Sequence, residues 1–402
     1  MTYTVGSLFA GVGGIDLGLQ LAEYNNDTFE ILWANEIDEY AVATYCHNFK
    51  HHPVIPGDIE QILNPSPELD EKKKAEYIQK REEILQHEID VLVGGFPCQA
   101  FSIAGYRKGF EDERGNLFWS IVNLIKLLNE RHAKKPSVLL LENVKNLKNH
   151  DNGNTYMVIK NELQKLGYTV KEQVINTKDV THLPQNRERI YIVAFLDSKV
   201  ADQFTMFDND NISNYKIEKT EAERIENIKN VLELHLTKSD SEKYYYTKEK
   251  YPSYFITEEE YFSINQEDRK EHRVNIDEEI TEEYEFFQVR RGMYVRKNQN
   301  GVCPTLTANM GTGGHNVPLI KVHDGVRKLT PNETFKLQGF PIGKEYELPT
   351  EYKGRPFSDG RLYKQAGNAV SVDVITLIGV EILKALASTN KVEEDKLVVQ
   401  TP

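Results

Sequence analysis

Cysteine is scarce in this 402-residue chain: three residues, at 46, 98 and 303, with no pairing pattern. That excludes a disulfide scaffold and a thiolate zinc cluster, so no metal is expected, and it points to a reducing compartment. No apolar run approaches the roughly twenty residues that span a membrane. The opening MTYTVGSLFAGVGG also lacks the basic start and apolar stretch of a signal peptide. The expectation is a soluble cytoplasmic protein without membrane association. Net positive charge is missing too: the balance is −13, whereas a partner built of phosphates normally demands a basic surface. The deficit is uneven along the chain. Acidic residues crowd into about 202–286, as in EAERIEN, ITEEEYF and NIDEEITEEYEFF, while Arg107, Lys108 and Arg114 form one basic group and VRRGMYVRK at 289–297 another. One acidic outer surface and a separate basic face are expected.

Apolar, β-rich stretches recur at 4–9, 30–34, 90–94, 137–141 and 189–195, with helical patterns between them such as LFWSIVNLIKLLNERH at 117–132. Near-continuous apolar strands alternating with amphipathic helices predict an α/β fold, a doubly wound, Rossmann-like, mostly parallel sheet covered on both faces. The stretch at 65–88 reads as a charged helix with a solvated face. After Phe195 the periodicity fades until about 286, where shorter β-like pieces and glycine-rich turns begin, as in CPTLTANMGTGGHNVPLI at 303–320. The Tyr-rich KYYYTKEKY at 243–251 reads as a packed strand rather than a base-stacking surface. The apolar helix at 372–387 is expected to return to the first domain. The division predicted is a catalytic domain at 1–196, a smaller, mainly β domain at 197–360 and a returning segment at 361–402.

Candidate chemistry gathers at predicted strand ends, where an open α/β sheet presents its reacting groups. Cys98 lies in GGFPCQAFSIAG at 94–105, on a Pro-Cys turn directly after an apolar strand. A thiolate nucleophile needs such a polar, partly open loop. Cys46 and Cys303 read as small buried hydrophobes. VGSLFAGVGGIDLGLQ at 5–20 is a strand, glycine turn and helix start, which cradles an adenosine-bearing cofactor, and Glu36 stands where an acidic residue usually binds the ribose hydroxyls. The glycine spacing departs from the pyrophosphate-binding pattern, so S-adenosyl-L-methionine fits better than NAD. Asp58 either meets the adenine edge or caps the helix ahead of Ile59. Glu142 and Asn143 end the apolar strand 137–144. There Glu142 can serve as a general acid, or cap the next helix. Arg187 and Arg189, in QNRER, could grip a phosphate or a base carbonyl, or make surface ion pairs.

In this order, FAGVGG, GFPCQAFS, ENV, QNRER, RKLTPNETFKLQGFP at 327–341 and GNAV at 367–370 resemble the cytosine-C5 DNA methyltransferase family, over most of the chain apart from roughly 197–286. The resemblance implies the class I S-adenosylmethionine-dependent fold and a role for each matching residue. Cys98 would be the nucleophile, Glu142 the acid at the cytosine ring nitrogen and Arg189 the holder of its carbonyl oxygen, with Arg187 among the catalytic groups. Phe9, Ala10, Gly11, Gly13, Gly14, Glu36, Ile37, Asp58, Ile59, Pro97, Leu117, Asn368, Ala369 and Val370 would line the cofactor pocket. Gln99, Ser102 and Arg107 would meet DNA from the active-site loop. Arg290, Arg291, Arg296 and Lys297, with Thr305 and Leu306 of the family's short TL signature, would do so from the recognition region. Ile37 stands where relatives often carry Trp, and Ala369 where Ser is common.

The implied partner is double-stranded DNA, with a cognate restriction endonuclease acting on the same site, and the enzyme is expected to be a monomer. Three rival readings are weaker. The tRNA-modifying branch resembles PPCQ-PFT rather than GFPCQAFS around its cysteine. A silent regulatory relative sits badly with intact Cys98, Glu142 and Arg189, and a dehydrogenase with the glycine spacing.

Overall fold

The computed structural model describes residues 1–96, 117–269, 273–290, 294–311 and 317–399, with the side chains of 290 and 390–399 outside the description. The chain divides into two compact units. One holds Met1–Asn176, Glu188–Lys216 and the chain from Val370 onward; the other holds Thr177–Arg187 and Ile217–Ala369. Three boundaries differ from those read in the sequence. Residues 197–216 stay with the first unit, where the helix Ser198–Gln203 packs on neighbouring strands and on the C-terminal helix Val372–Val399. Residues 177–187 join the second unit, and the return begins at 370 rather than 361.

Among the described residues, the first unit carries seven strands. They are β1 (Thr2–Leu8), β2 (Thr28–Glu36), β3 (Val54–Pro56), β4 (Val91–Gly95), β5 (Val138–Val144), β6 (Thr169–Asn176) and β7 (Glu188–Phe195). Their order is β3-β2-β1-β4-β5-β7-β6. β1 to β5 pair in parallel, and β7 runs antiparallel to both its neighbours. Val91-Leu92-Val93 and Val138–Leu141 are wholly buried, as strands covered on both faces must be, which is why they read as unbroken apolar runs. β3 is too short to show a pattern. β6 is an edge strand whose TVKEQVIN interleaves charge with its buried Val170 and Ile175, so neither was legible.

Helices α1 (Gly14–Gln20) and α2 (Glu39–Asn48) follow β1 and β2, and α3 (Ile59–Leu63), α4 (Glu71–Leu85), α5 (Leu117–His132) and α6 (Asn154–Lys165) come later. Leu8, Leu92, Leu139, Leu141, Ile190 and Ile192 of the sheet share one core with Ile62, Ile84, Ile121, Leu124, Ile125 and Ile159 of α3 to α6. α4 is the charged helix read at 65–88; its outer face carries pairs such as Lys80–Glu76. α1 packs against the C-terminal helix, so closely that a Cβ on Gly18 would lie 2.6 Å from that of Ile375. Strand order reverses at β1, flanked by β2 and β4. An open sheet binds its ligand in the crevice outside the carboxyl ends of such strands, and both the glycine turn after β1 and the Phe-Pro-Cys sequence after β4 leave from there.

The second unit contains the antiparallel sheet β11-β10-β8-β9, made of β8 (Phe286–Arg290), β9 (Tyr294–Lys297), β10 (Leu319–Val322) and β11 (Gly325–Lys328). Short helices surround it. Glu221–Val231 and Glu258–Ser263 each open on a reciprocal capping box, Thr220 with Glu223 and Thr257 with Glu260. These helices are too short to show an apolar period, and their signature is the cap. The tyrosine run is not a strand: Lys238–Tyr244 is helical, and Tyr246 then stacks with Tyr251 and Tyr254, Tyr246 and Tyr254 lying in a core with Phe287, Leu319 and Val326. Arg327 and Glu333, both 0% exposed, form a two-pronged ion pair with N–O distances of 2.8 and 2.6 Å.

Candidate active site

The glycine turn is held at its mouth by Glu36. This carboxylate ends β2 and accepts from the backbone N–H groups of Gly11 (2.8 Å), Ile37 (2.9 Å) and Asp38 (2.8 Å). Burial pushes its pKa up, against the pull of those three donors and with a smaller push from Asp38. Within the turn, Gly13 N–H donates to the Ala10 carbonyl (2.8 Å). Phe9 and Gly11 both have left-handed backbones, with φ of 55° and 58°. Such a conformation strains Phe9 and suits glycine at 11. A Cβ on Gly11 would meet nothing within 4 Å, so the turn faces open space there. Ile37 is 67% exposed, a large apolar side chain beside the Glu36 carboxylate. Asp58 caps α3 through its bond from Glu60 N–H (3.0 Å), and Ile59 lies in the hydrophobic core. The cap is therefore realised at Asp58, and the Ile59 side chain serves the core rather than a pocket wall. Leu117 begins α5 and packs against the same core, while Val370 is buried at the start of the returning segment. Asn368 is exposed at the end of the helix Asp359–Asn368 in the second unit, and Ala369 caps that helix.

Register brings the next groups together. Gly95 of β4 lies opposite Glu142 of β5, and β5 in turn pairs Glu142 with Tyr191 and Val144 with Arg189 of β7. The Arg189 Nε lies 2.9 Å from Glu142 Oε1, with both side chains largely buried. A guanidinium in this position holds the carboxyl in one orientation and places a donor beside it. Arg189 also donates from Nη1 to the Glu188 carbonyl (2.8 Å). Glu142 is thus not a helix cap.

Asn143 carries a role that the sequence reading did not assign. Its amide donates to the Phe96 carbonyl (2.7 Å, buried) while its oxygen accepts from Val144 N–H (2.8 Å). This pins β5 to the residue two places before Cys98. Asn143→Ala should leave that carbonyl without its donor and cost about 1–3 kcal/mol, measured as a lower denaturant midpoint at unchanged slope. A midpoint equal to wild type would show that the bond contributes nothing.

Pro97, Cys98, Gln99, Ser102, Arg107 and Arg291 lie outside the described residues, and Arg290 is described only by its backbone in β8. Arg296 is exposed on β9. Lys297 is engaged by Glu282 at 2.6 Å.

Two expectations are corrected in the second unit. Arg187, expected among the catalytic groups, is 2% exposed, and its guanidinium donates to the carbonyls of Leu306 (3.1 Å), Gly367 (3.2 Å) and Ala369 (2.5 Å). A cation so enclosed by backbone acceptors is a structural clamp. Leu306, expected to touch DNA, is 1% exposed, while the half-buried Thr305 donates its hydroxyl to the Asn186 carbonyl (2.6 Å). Gln185 completes this spine by donating to the Leu337 carbonyl (2.7 Å). The motif alone did not separate an internal clamp from a nucleic-acid contact.

The family described as C-5 cytosine-specific DNA methylase matches residues 3–384. The chain is 42% identical over 383 residues to the Type II methyltransferase M.Bsp6I of Bacillus sp. (strain RFL6), covering 95% of this chain and 99% of that one. It is 33% identical over 384 residues to the Type II methyltransferase M.HhaI of Haemophilus parahaemolyticus, covering 94% of each. The crystal structure of the S. pombe Dnmt2 methyltransferase shares the fold, with a TM-score of 0.57 at 17% identity over 96% of this chain and 99% of that one.

Proposed function

Since the chain belongs to the C-5 cytosine-specific DNA methylase family, we propose that it methylates a cytosine flipped out of duplex DNA through transient attachment of Cys98 to ring carbon C6. The activity itself, cytosine-C5 DNA methylation of the restriction–modification type, follows from that membership. The observation that carries the finer reading is the strand-end register, in which the Glu142–Arg189 pair stands beside the strand that runs on in sequence to Pro97-Cys98.

The residues at the glycine turn fit S-adenosylmethionine. Glu36 already occupies the Gly11 N–H, a group that a pyrophosphate would need for itself. The exposed Ile37 offers an apolar wall to a purine. Phe9, Ala10, Gly11, Gly13, Gly14, Glu36, Ile37, Asp58 and Leu117 would hold the cofactor, with Pro97, Asn368, Ala369 and Val370 assigned by resemblance. When bound, it supplies a methyl group on a sulfonium sulfur, an electrophile for an electron-rich carbon.

Cytosine C5 is a poor nucleophile until a thiolate adds at C6. Cys98 makes that bond. Glu142, oriented by Arg189, holds a proton at N3, and the Arg189 guanidinium faces the adjacent carbonyl oxygen. Once C5 has taken the methyl group, its proton passes to a base and the C6–sulfur bond breaks, releasing the thiolate. Attack across the ring faces is impossible inside a base stack, hence the flipped base. Gln99, Ser102, Arg107, Arg290, Arg291 and Arg296 remain the groups assigned to DNA. A cognate endonuclease acting on the same site, a monomeric state and a cytoplasmic location complete the proposal. No described helix is long and apolar enough to cross a membrane.

Bisulfite sequencing of DNA from cells expressing the protein tests the reading. The expected result is one protected cytosine within a short recurring motif. Methyl groups on adenine, or on an exocyclic amine, would overturn it.

A further inference from the structure

A second carboxyl group stands at the opposite end of the glycine turn and is fully buried. Asp16, in the first turn of α1, accepts from the Ser7 hydroxyl on β1 (2.6 Å) and from the Tyr45 hydroxyl on α2 (2.6 Å). Ser7 and Asp16 bracket the turn, so their bond closes its base as Glu36 closes its mouth. Tyr45 OH also lies 3.1 Å from His52 Nδ1, and His52 Nε2 lies 2.9 Å from Gln20 Nε2. His52 stacks on Phe49, and a Cβ on Gly13 would collide with the Phe49 ring at 2.2 Å. The turn therefore rests on the same aromatic side chain that supports the histidine.

With the Gln20 amide nitrogen facing His52, one proton arrangement satisfies every contact around an ionised Asp16. Gln20 donates to His52 Nε2, His52 Nδ1–H donates to Tyr45, and Tyr45 donates to an ionised Asp16, which also accepts from Ser7. A proton on Asp16 Oδ2 is incompatible with this order. Asp16 must then donate to Tyr45, Tyr45 to His52 Nδ1, and His52 must carry its hydrogen on Nε2, against the Gln20 amide. We propose that Asp16 is a positioning residue for the glycine turn, and that its proton, by reversing the chain through Tyr45 and His52, weakens cofactor binding. The proposal rests on the glycine turn being the cofactor site.

Burial raises the Asp16 pKa to about 6, with the Ser7 and Tyr45 hydroxyls pulling the other way. His52 is held below its ordinary value by burial first and by His51, against Glu30, which favours the neutral ring that the chain uses. From the C-terminal helix, Val372 and Ile375 pack on α1 at Gly18. Glu36, also raised by burial, is the other group at the turn that can titrate, and it is separated by substitution at Asp16.

The test is the dissociation constant of S-adenosylhomocysteine for the full chain between about pH 5.5 and 7.5, together with the nitrogen chemical shifts of the His52 ring. Wild type should weaken on the order of fivefold toward the acid end and show the Nδ1–H tautomer at neutral pH. Asp16→Asn, seated with its amide oxygen accepting from Ser7 and its nitrogen toward Tyr45, places a permanent donor against Tyr45. At neutral pH it should bind as wild type does in acid, lose the inflection near pH 6 and show the Nε2–H tautomer. Tyr45→Phe removes a bond that lowers the Asp16 pKa, so its inflection should move to higher pH. Matching pH profiles and tautomers in wild type and Asp16→Asn, or an unmoved inflection in Tyr45→Phe, would overturn the proposal. Failure of folded wild-type protein to bind S-adenosylhomocysteine at any pH would instead overturn the cofactor reading beneath it.

Discussion

Cys98→Ala is expected to lower methyl transfer on the order of 10⁴-fold or more, the scale on which removal of a covalent nucleophile acts. The oriented Glu142–Arg189 pair remains in that variant, but it works on a ring that no sulfur has attacked. Protonation at N3 alone leaves C5 without the electron density to accept a methyl group. Cofactor and duplex binding should survive, since neither needs the sulfur. The measurement is transfer of a labelled methyl group into a duplex containing the target site. A second readout uses 5-fluorocytosine in that site. Fluorine at C5 cannot leave as a proton, so wild type should form a complex that resists denaturant and Cys98→Ala should not. Substantial turnover by the alanine variant, or no adduct with wild type at a confirmed site, would refute addition at C6.

Arg327→Met should destabilise the second unit by about 3–5 kcal/mol, the range for breaking one side of a buried ion pair. Glu333 would be left charged in a place with no access to water, since both side chains are 0% exposed. The carboxylate retains donors in the backbone N–H groups of Thr330 and Glu233, each at 2.7 Å, but neither carries a compensating charge. Arg327 also donates to the Glu233 carbonyl (3.1 Å), so the chain at 233 loses an anchor as well. Adding Glu333→Gln removes the stranded charge. The double variant should therefore be more stable than Arg327→Met alone, which separates a charge effect from lost packing. Urea unfolding of the full chain, followed in the second unit, checks both. A cost below about 1 kcal/mol for the single change would place the pair among weak surface bridges.

The groups proposed for catalysis stood out as candidates because their chemistry is local in sequence. An apolar strand running into Gly-Gly-Phe-Pro-Cys, or into Glu-Asn-Val, announces a strand end carrying a reactive side chain, and the sheet needs nothing more to bring Gly95 beside Glu142. Glu36 was legible for the same reason, as an acid at the end of the second strand. Arg187 and Thr305-Leu306 were placed by family motif, and a motif says nothing about which way a side chain turns. Their partners, Leu306, Gly367 and Asn186, lie up to 180 positions away. The helices between 217 and 285 escaped because they are held by caps and by tertiary packing rather than by an apolar stripe.

From its own order of residues the chain determined the mostly parallel sheet, the turn of glycines and the acids that end β2 and β5, since strand periodicity and strand-end chemistry are properties of neighbours. Only the folded molecule decided that Asn143 anchors the Phe96 carbonyl, that Asp16 is tied to a tyrosine 29 positions on, and that Arg187 is enclosed rather than reactive. Each is a hydrogen bond formed in a buried setting between segments remote in sequence. Burial gives such a bond its value, and burial exists only once the layers have packed.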